Sequence, residues 1–413
     1  MTGPRLLGQG ELASVLPPGG LSYVSSCAAE SDIFASEIEA AGAALGKRRF
    51  SGVFVAGLNR CTYNAGPESG VVTFFQTPQL KKEGARSQFL PFCYNDVSQW
   101  YAANQPDAVL VMLSPPDADG NCSFGVDAGF GPDQWRDAKV RIAHINPAMP
   151  RTAGDPGIPF AELTAYYEET QPLREMPGAA GDPITDAIAP HVASLIPDGA
   201  TLQTGLGKLP DTVFDNLHGH SGLRLFTGLV GDGALRLVRS GAMADGASAV
   251  FGSAIGSASL YEGLIDPHFQ LRPVSVTHDL LRLAAIDRLV TINSVMSVDL
   301  FGQGFAEASS RGFMSGPGGA SDFARGARAS KGGLRIIALP STAKETSRIV
   351  APGEGIGPVS LSRFDIDAVV TEHGIADLRG LDHDQRAKAM IAIAGPDHRE
   401  ALAAAWADVA RTI

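Results

Sequence analysis

Between Ala200 and Gly233 the chain reads ATLQTGLGKLPDTVFDNLHGHSGLRLFTGLVGDG, a stretch with the residue types of a ligand site. A run suited to a buried strand, Thr201–Thr204, meets a turn holding Gly205 and Gly207. Asp211 then opens an amphipathic helical segment with Val213, Phe214 and Leu217 on one face, and a second strand-like run over 223–230 ends at Gly231-Asp232-Gly233. In such a layout backbone N–H groups and the helix N-terminus favour anionic groups outside the carboxyl ends of the strands. Pro210 stands where a GxGxxG fingerprint needs its third glycine, so the turn is a weak dinucleotide signal. The same residues also suit a plain tight turn that closes a helix onto a sheet. Two later stretches carry comparable chemistry. Gly316, Gly318 and Gly319 precede a helix expected over 322–329, where their N–H groups can meet a ligand or simply form the helix entry, with Asp322 near its N-terminus. The strand Ala368–Thr371 runs into Glu372-His373-Gly374, which places a carboxylate and an imidazole at a strand end. His218 and His220 have no acidic or cysteine partner at metal-site spacing and read as loop residues, so no metal site is expected.

These groups need a scaffold. With 413 residues the chain is too long for one ordinary core and fits two α/β domains. Strands are expected over 21–26, 52–57, 71–75, 108–113, 139–145, 289–293 and 334–339. Helical spacing marks 31–45, 184–195, 382–393 and 400–413. The wholly apolar run Ala108–Leu113 has the pattern of a parallel strand covered on both faces. Alternation of strands and helices gives an α/β class with mainly parallel sheets. The polar, Pro- and Gly-rich stretch 168–183 is the expected linker, dividing a domain of residues 1–175 from one of 184–413. The net charge of −11 is spread without basic clusters, which argues against nucleic acid and anionic membrane as partners. Four separated cysteines without a CxxC fit reduced thiols in a cytoplasmic protein, and no run is long enough to span a bilayer.

Several stretches together resemble one family. VVTEHGIADLRG, MSGPGGASDFARGA followed closely by IIALPSTA, and INSVMSVDLFGQ look like segments of the acetyl-CoA hydrolase/CoA-transferase family, as do SPPDADGNCSFG and NPAMPRTAG in the first half. The resemblance covers nearly the whole chain in order. It implies two α/β domains of the CoA-transferase type with the active site at their interface, in a homodimer. It further implies acyl-CoA and a small carboxylic acid as ligands, with coenzyme A as substrate and no other cofactor. By the same resemblance Gly205 and Gly207 form the turn beside the acyl-CoA site, and the Gly374 N–H helps stabilise the thioester oxyanion. Gly316, Gly318 and Gly319 would contact the pantetheine or phosphates, and Asn293 and Gln303 the acyl or pantetheine amides. His373 is read as a wall of the site, because the family often has an aromatic residue there.

One position departs. Family transferases carry a glutamate, in a segment like T-E-M-x-S-D-G, that attacks the thioester. Here the segment is Thr227-Gly228-Leu229-Val230-Gly231-Asp232-Gly233, so the matching position is Gly228, and 223–234 contains no glutamate. Glycine has no carboxylate and covalent catalysis by that route is closed. Three readings follow. Another carboxylate (Asp232, Glu372, Glu307 or Glu262) activates water or assists transfer, although Asp232 and Glu372 are equally suited to hold a turn and nearby N–H groups. Alternatively the chain binds CoA or acyl-CoA without turnover, in a regulatory or partner role. In the third reading the chain runs a different reaction on a related ligand, with Gly228 opening room for a larger acyl group or a substrate-borne nucleophile.

Overall fold

The computed structural model describes residues 3–178 and 181–412; Ala179 and Ala180 of the expected linker and Ile413 of the expected last helix lie outside them. The chain divides into two units, residues 1–177 with 249–277, and residues 178–248 with 278–413.

Among the described residues, the large parallel sheet of unit 1 has eight strands: β1 (Arg5–Leu6), β2 (Leu21–Val24), β3 (Arg49–Gly52), β4 (Gly70–Thr73), β5 (Ser87–Phe89), β6 (Ala108–Leu113), β7 (Val140–Ile145) and β8 (Ala165–Glu168). Their order is β1-β8-β7-β6-β2-β3-β4-β5, and every pair is parallel. All six residues of β6 are buried, as its apolar run predicts for a central strand. The strand expected over 52–57 instead occupies Arg49–Gly52. Beyond Gly52 the chain leaves the sheet, because the Asn59 carboxamide accepts from the Val55 N–H and the Ser26 hydroxyl from the Val53 N–H. Helix α1 covers Asp32–Ala41, with Ser31 accepting the Phe34 N–H as its cap.

The segment 249–277, assigned from sequence to the second domain, belongs to unit 1, and Glu262 goes with it. Backbone bonds explain why: Ala254 donates to Val126, Ala128 to Gly252 and Leu271 to Ala153. The expected linker is likewise anchored up to Pro177. Gln171 donates to the Glu30 carbonyl, and the Arg174 Nε to the buried Glu30 carboxylate. The unit boundary at 177/178 therefore lies inside a stretch whose Pro and Gly content alone suggested a loose connector.

Unit 2 contains β9 (Thr201–Thr204), β10 (Arg224–Val230), β11 (Leu289–Asn293), β12 (Leu334–Ala338), β13 (Ala368–Thr371) and β14 (Gly374–Asp377). They lie in the order β10-β9-β11-β12-β13-β14, parallel except for the β13–β14 hairpin. Unit 2 also holds helices α2 (Pro183–Ala193), α3 (Lys208–Asp215), α4 (Asp232–Ser240), α5 (Ala320–Ala329), α6 (His383–Ala392) and α7 (Arg399–Ala410). Helix α3 begins at Lys208 rather than Asp211, because Gly207 at φ 121° supplies its cap and Pro210 fits the first turn. Asp182 and Thr185 form a capping box on α2, and Asp382 and Gln385 another on α6. A core of Val298, Leu300, Leu339, Val369, Leu378, Met390 and Trp406 joins α6 and α7 to the sheet. Asp367, just before β13, accepts from the Arg335 Nε at 2.7 Å and the Arg335 N–H at 3.0 Å, tying β13 to β12. Both side chains are largely buried (14% and 9% exposed). Asp367→Ala leaves the guanidinium unpaired, so a urea titration is expected to show a loss of about 3 kcal/mol.

Candidate active site

The expected site residues of unit 2 gather at strand ends and in the loops that follow them. Thr204, at the carboxyl end of β9, leads into Gly205 and Gly207. A Cβ built at either glycine meets nothing within 4 Å, so both backbones face open space. On the neighbouring strand β11, Asn293 and Gln203 exchange two amide hydrogen bonds, of 3.0 and 3.2 Å. The Asn293 carboxamide is thus held in a fixed orientation at the end of the sheet. Gln303 donates to Asp299 at 2.7 Å, and its N–H reaches the same carboxylate. The Gln303 side chain and backbone thus satisfy a buried acid.

The two favoured carboxylates lie far apart. Asp232 is the first residue of α4, where a negative charge is favoured by the helix macrodipole, and it accepts the Gly178 N–H at 3.1 Å. Asp211, read from sequence only as a helix start, lies beside it and accepts the Gly233 N–H at 3.0 Å. Burial raises the Asp211 carboxyl above its usual range, against the lowering effect of that N–H. Glu372 sits in the two-residue turn of the β13–β14 hairpin. It accepts the Ser341 N–H at 2.8 Å and the Ser341 hydroxyl at 2.6 Å, with His373 Nε2 3.6 Å away. Four strand steps of about 4.8 Å separate β10 from β13, which puts the two carboxylates roughly 19 Å apart along the sheet. Glu307 is buried and accepts from Ser360.

Glu372 borders a cavity of about 430 Å³ lined by Ser341, Lys344, Glu345, His373, Asp397 and His398 among others. Burial pulls the Arg348 guanidinium down and the charge of Glu372 pushes it back up, so the two sense each other. Gly374 follows at φ 131°, with open space around a Cβ; the conformation rather than crowding calls for glycine there. Gly318 also has a positive φ, 62°, and Gly316 is buried.

Gly228 lies in β10, and the room beside it is not open. A Cβ at Gly228 would stand 2.8 Å from Cε1 and 3.0 Å from Nε2 of His278, and a Cβ at Gly319 would overlap the same ring. The premise of a pocket enlarged at Gly228 therefore fails, because an imidazole fills the space. His278 was not singled out from the sequence: a lone histidine in VSVTHDLLRL carries no motif, and only packing reveals it. It is 3% exposed and packs at a tilt against Phe323 of α5, with ring centroids 4.7 Å apart and the ring planes at 60°. Burial pushes its pKa down from 6.5 to about 3. Among the described residues no cluster of three or more His, Cys, Asp or Glu could hold a metal ion, and no helix is long and apolar enough to cross a membrane.

The depressed His278 pKa has a sign. Between about pH 3 and 6.5 the unfolded chain binds the proton that the folded chain refuses, so this group's contribution to stability falls on acidification. Relative to wild type, His278→Gln is expected to retain about 2 kcal/mol more of its neutral-pH stability near pH 5, read from urea titrations at both pH values.

Residues 256–406 match the family described as the acetyl-CoA hydrolase/transferase C-terminal domain. A 4-hydroxybutyrate coenzyme A transferase of Clostridium kluyveri is 36% identical over 86% of this chain and 81% of its own. A succinyl-CoA:cyclohexane-1-carboxylate CoA transferase of Geobacter metallireducens is 32% identical over 83% and 81%. Among solved structures, RipA from Yersinia pestis superposes with a TM-score of 0.87 at 30% identity, covering 98% of this chain and 97% of that one. A 4-hydroxybutyrate CoA-transferase from Porphyromonas gingivalis gives 0.81 at 30% identity, covering 99% and 98%. With relatives this similar over most of their length, the chain belongs to the acetyl-CoA hydrolase/CoA-transferase family of enzymes.

Proposed function

We propose that this enzyme processes acyl-CoA thioesters, passing the acyl group to water or exchanging CoA with a small carboxylic acid, without a glutamyl intermediate at position 228. The observation that carries the reading is the His278 ring in the space a side chain at Gly228 would need. The relatives supply the ligand class, since their names pair acyl-CoA with acetate, succinate and other carboxylic acids. Exchange then has a direct route. The acceptor carboxylate attacks the thioester carbonyl, expelling CoA thiolate and forming a mixed anhydride. The thiolate next attacks the acceptor's carbonyl, giving the new thioester and releasing the first acid. Both tetrahedral stages develop an oxyanion, for which the Gly374 backbone N–H is our candidate donor. The glycine turns at Gly205, Gly207, Gly316 and Gly318 are assigned to the CoA moiety, with the Asn293–Gln203 amide pair orienting the acyl side. For hydrolysis Glu372 is the preferred base over Asp232, because it borders a cavity while Asp232 opens a helix and holds Gly178. Coenzyme A enters as substrate, and a cytoplasmic homodimer is the expected form.

A second reading, an acyl-CoA binder without turnover, draws support from the hydrogen bonds that already occupy Glu372 and Asp232. Purified protein incubated with an acyl-CoA panel, with and without acetate, separates the two, following free thiol and exchanged thioester by mass. Sequential rather than ping-pong kinetics, and no borohydride-trappable protein–CoA thioester, are expected. A trapped adduct would refute the direct route, and binding by calorimetry with neither thiol release nor exchange would establish the second reading. Where thiol is released without acetate, Glu372→Gln is expected to slow release about 100-fold or more. Asp232→Asn should change it only a few-fold.

A further inference from the structure

His278 is a buried titratable side chain packed against two of the glycines read as site residues, and the proposed reaction does not use it. Its ring is enclosed by the β10 backbone at Gly228, the α5 entry at Gly319 and the Phe323 side chain. Gly228 and Gly319 are themselves partly exposed, whereas the ring is buried. The imidazole thus forms a layer directly beneath two accessible stretches of backbone. The fit is mutually exclusive. A Cβ at 228 would press within about 3 Å of Cε1 and Nε2, and one at 319 would overlap the ring. The ring cannot yield easily, because Phe323 and the neighbouring apolar cluster of Leu283, Leu289 and Ala327 are buried too. Shortening residue 278 therefore leaves a void that opens toward Gly228, the position matched to the family's thioester-attacking glutamate, and toward Gly319 beside it.

We infer that His278 is a specificity-determining residue: it forms the floor of the acyl site beneath Gly228 and Gly319, limits acyl length, and by the same occupancy bars a side-chain nucleophile from position 228. The inference rests on the reading that acyl-CoA binds beside Gly228, and two measurements keep the two separable. The first needs no ligand. In a double-mutant cycle on thermal or urea unfolding, Gly228→Ala is expected to destabilise the wild-type chain and to cost little in a His278→Ala background. Additive effects would overturn the wedge. The second compares acetyl-, butyryl-, hexanoyl- and octanoyl-CoA by calorimetric Kd and, where turnover is seen, by KM and kcat. His278→Ala is expected to shift the hexanoyl-to-acetyl preference at least tenfold toward the longer chain, through Kd or KM more than kcat. His278→Gln, which keeps most of the volume, should stay near the wild-type profile. A purely structural role would lower stability without moving that ratio. If His278→Ala does not fold, His278→Asn is used in both arms with the same expectations. An unchanged acyl profile in a chain that binds acyl-CoA overturns this inference alone. A wild-type chain that binds no acyl-CoA overturns the parent reading and the specificity claim together, while the cycle still judges the wedge.

Discussion

The imidazole of His278 can be buried between β10 and α5 only because neither Gly228 nor Gly319 carries a Cβ. A packed interior tolerates no overlap of side chains, so the identities of these three residues are tied to one another. The glycine at 228 is therefore also a packing requirement. The volume a side chain at 228 would need is held by an aromatic ring that burial keeps uncharged at neutral pH. Any chemistry at this end of the sheet must use backbone groups, ligand-borne groups or carboxylates from elsewhere.

Parallel strand order controls where those carboxylates can be. In unit 2, β10, β9, β11, β12 and β13 run the same way, so the turns after them emerge on one side of the sheet. Sequence neighbours such as Gly228 and Asp232 remain local to one strand end. Glu372, on the same side, is carried roughly 19 Å away by four strand steps. Each acid has also acquired hydrogen-bond donors: Gly178 for Asp232, and the Ser341 N–H and hydroxyl for Glu372. These contacts fix the orientation of both groups, and Glu372 keeps one further distinction in its cavity of about 430 Å³.

Family membership and the identity of residue 228 depend on different parts of the chain. The scaffold is set by buried strands such as Ala108–Leu113 and Leu289–Asn293 and by glycines whose backbone angles demand them, Gly207 and Gly374 among these. None of that requires a nucleophile. A side chain in the site can change while the sheet, its turns and its caps persist, so likeness to named transferases and hydrolases establishes the family and leaves the reaction to the site.

Much of this was legible in the order of residues. Apolar runs locate the parallel strands, because a strand covered on both faces must be apolar throughout. The glycine turns and the family motifs mark the loops at the strand ends, and Asp382 with Gln385 announces a helix start. Those signals are local, written in a few consecutive residues. What the sequence could not express is proximity between distant positions. Residues 249–277 join unit 1 through backbone bonds to 126–128 and 153, although they follow the organising stretch of unit 2 in the chain. Gln203 finds Asn293 ninety residues away, and His278 finds Gly228 and Gly319. A glycine in a strand looks the same in sequence whether the space beside it is empty or filled. Only the tertiary packing decides which, because the occupant is supplied by another part of the chain.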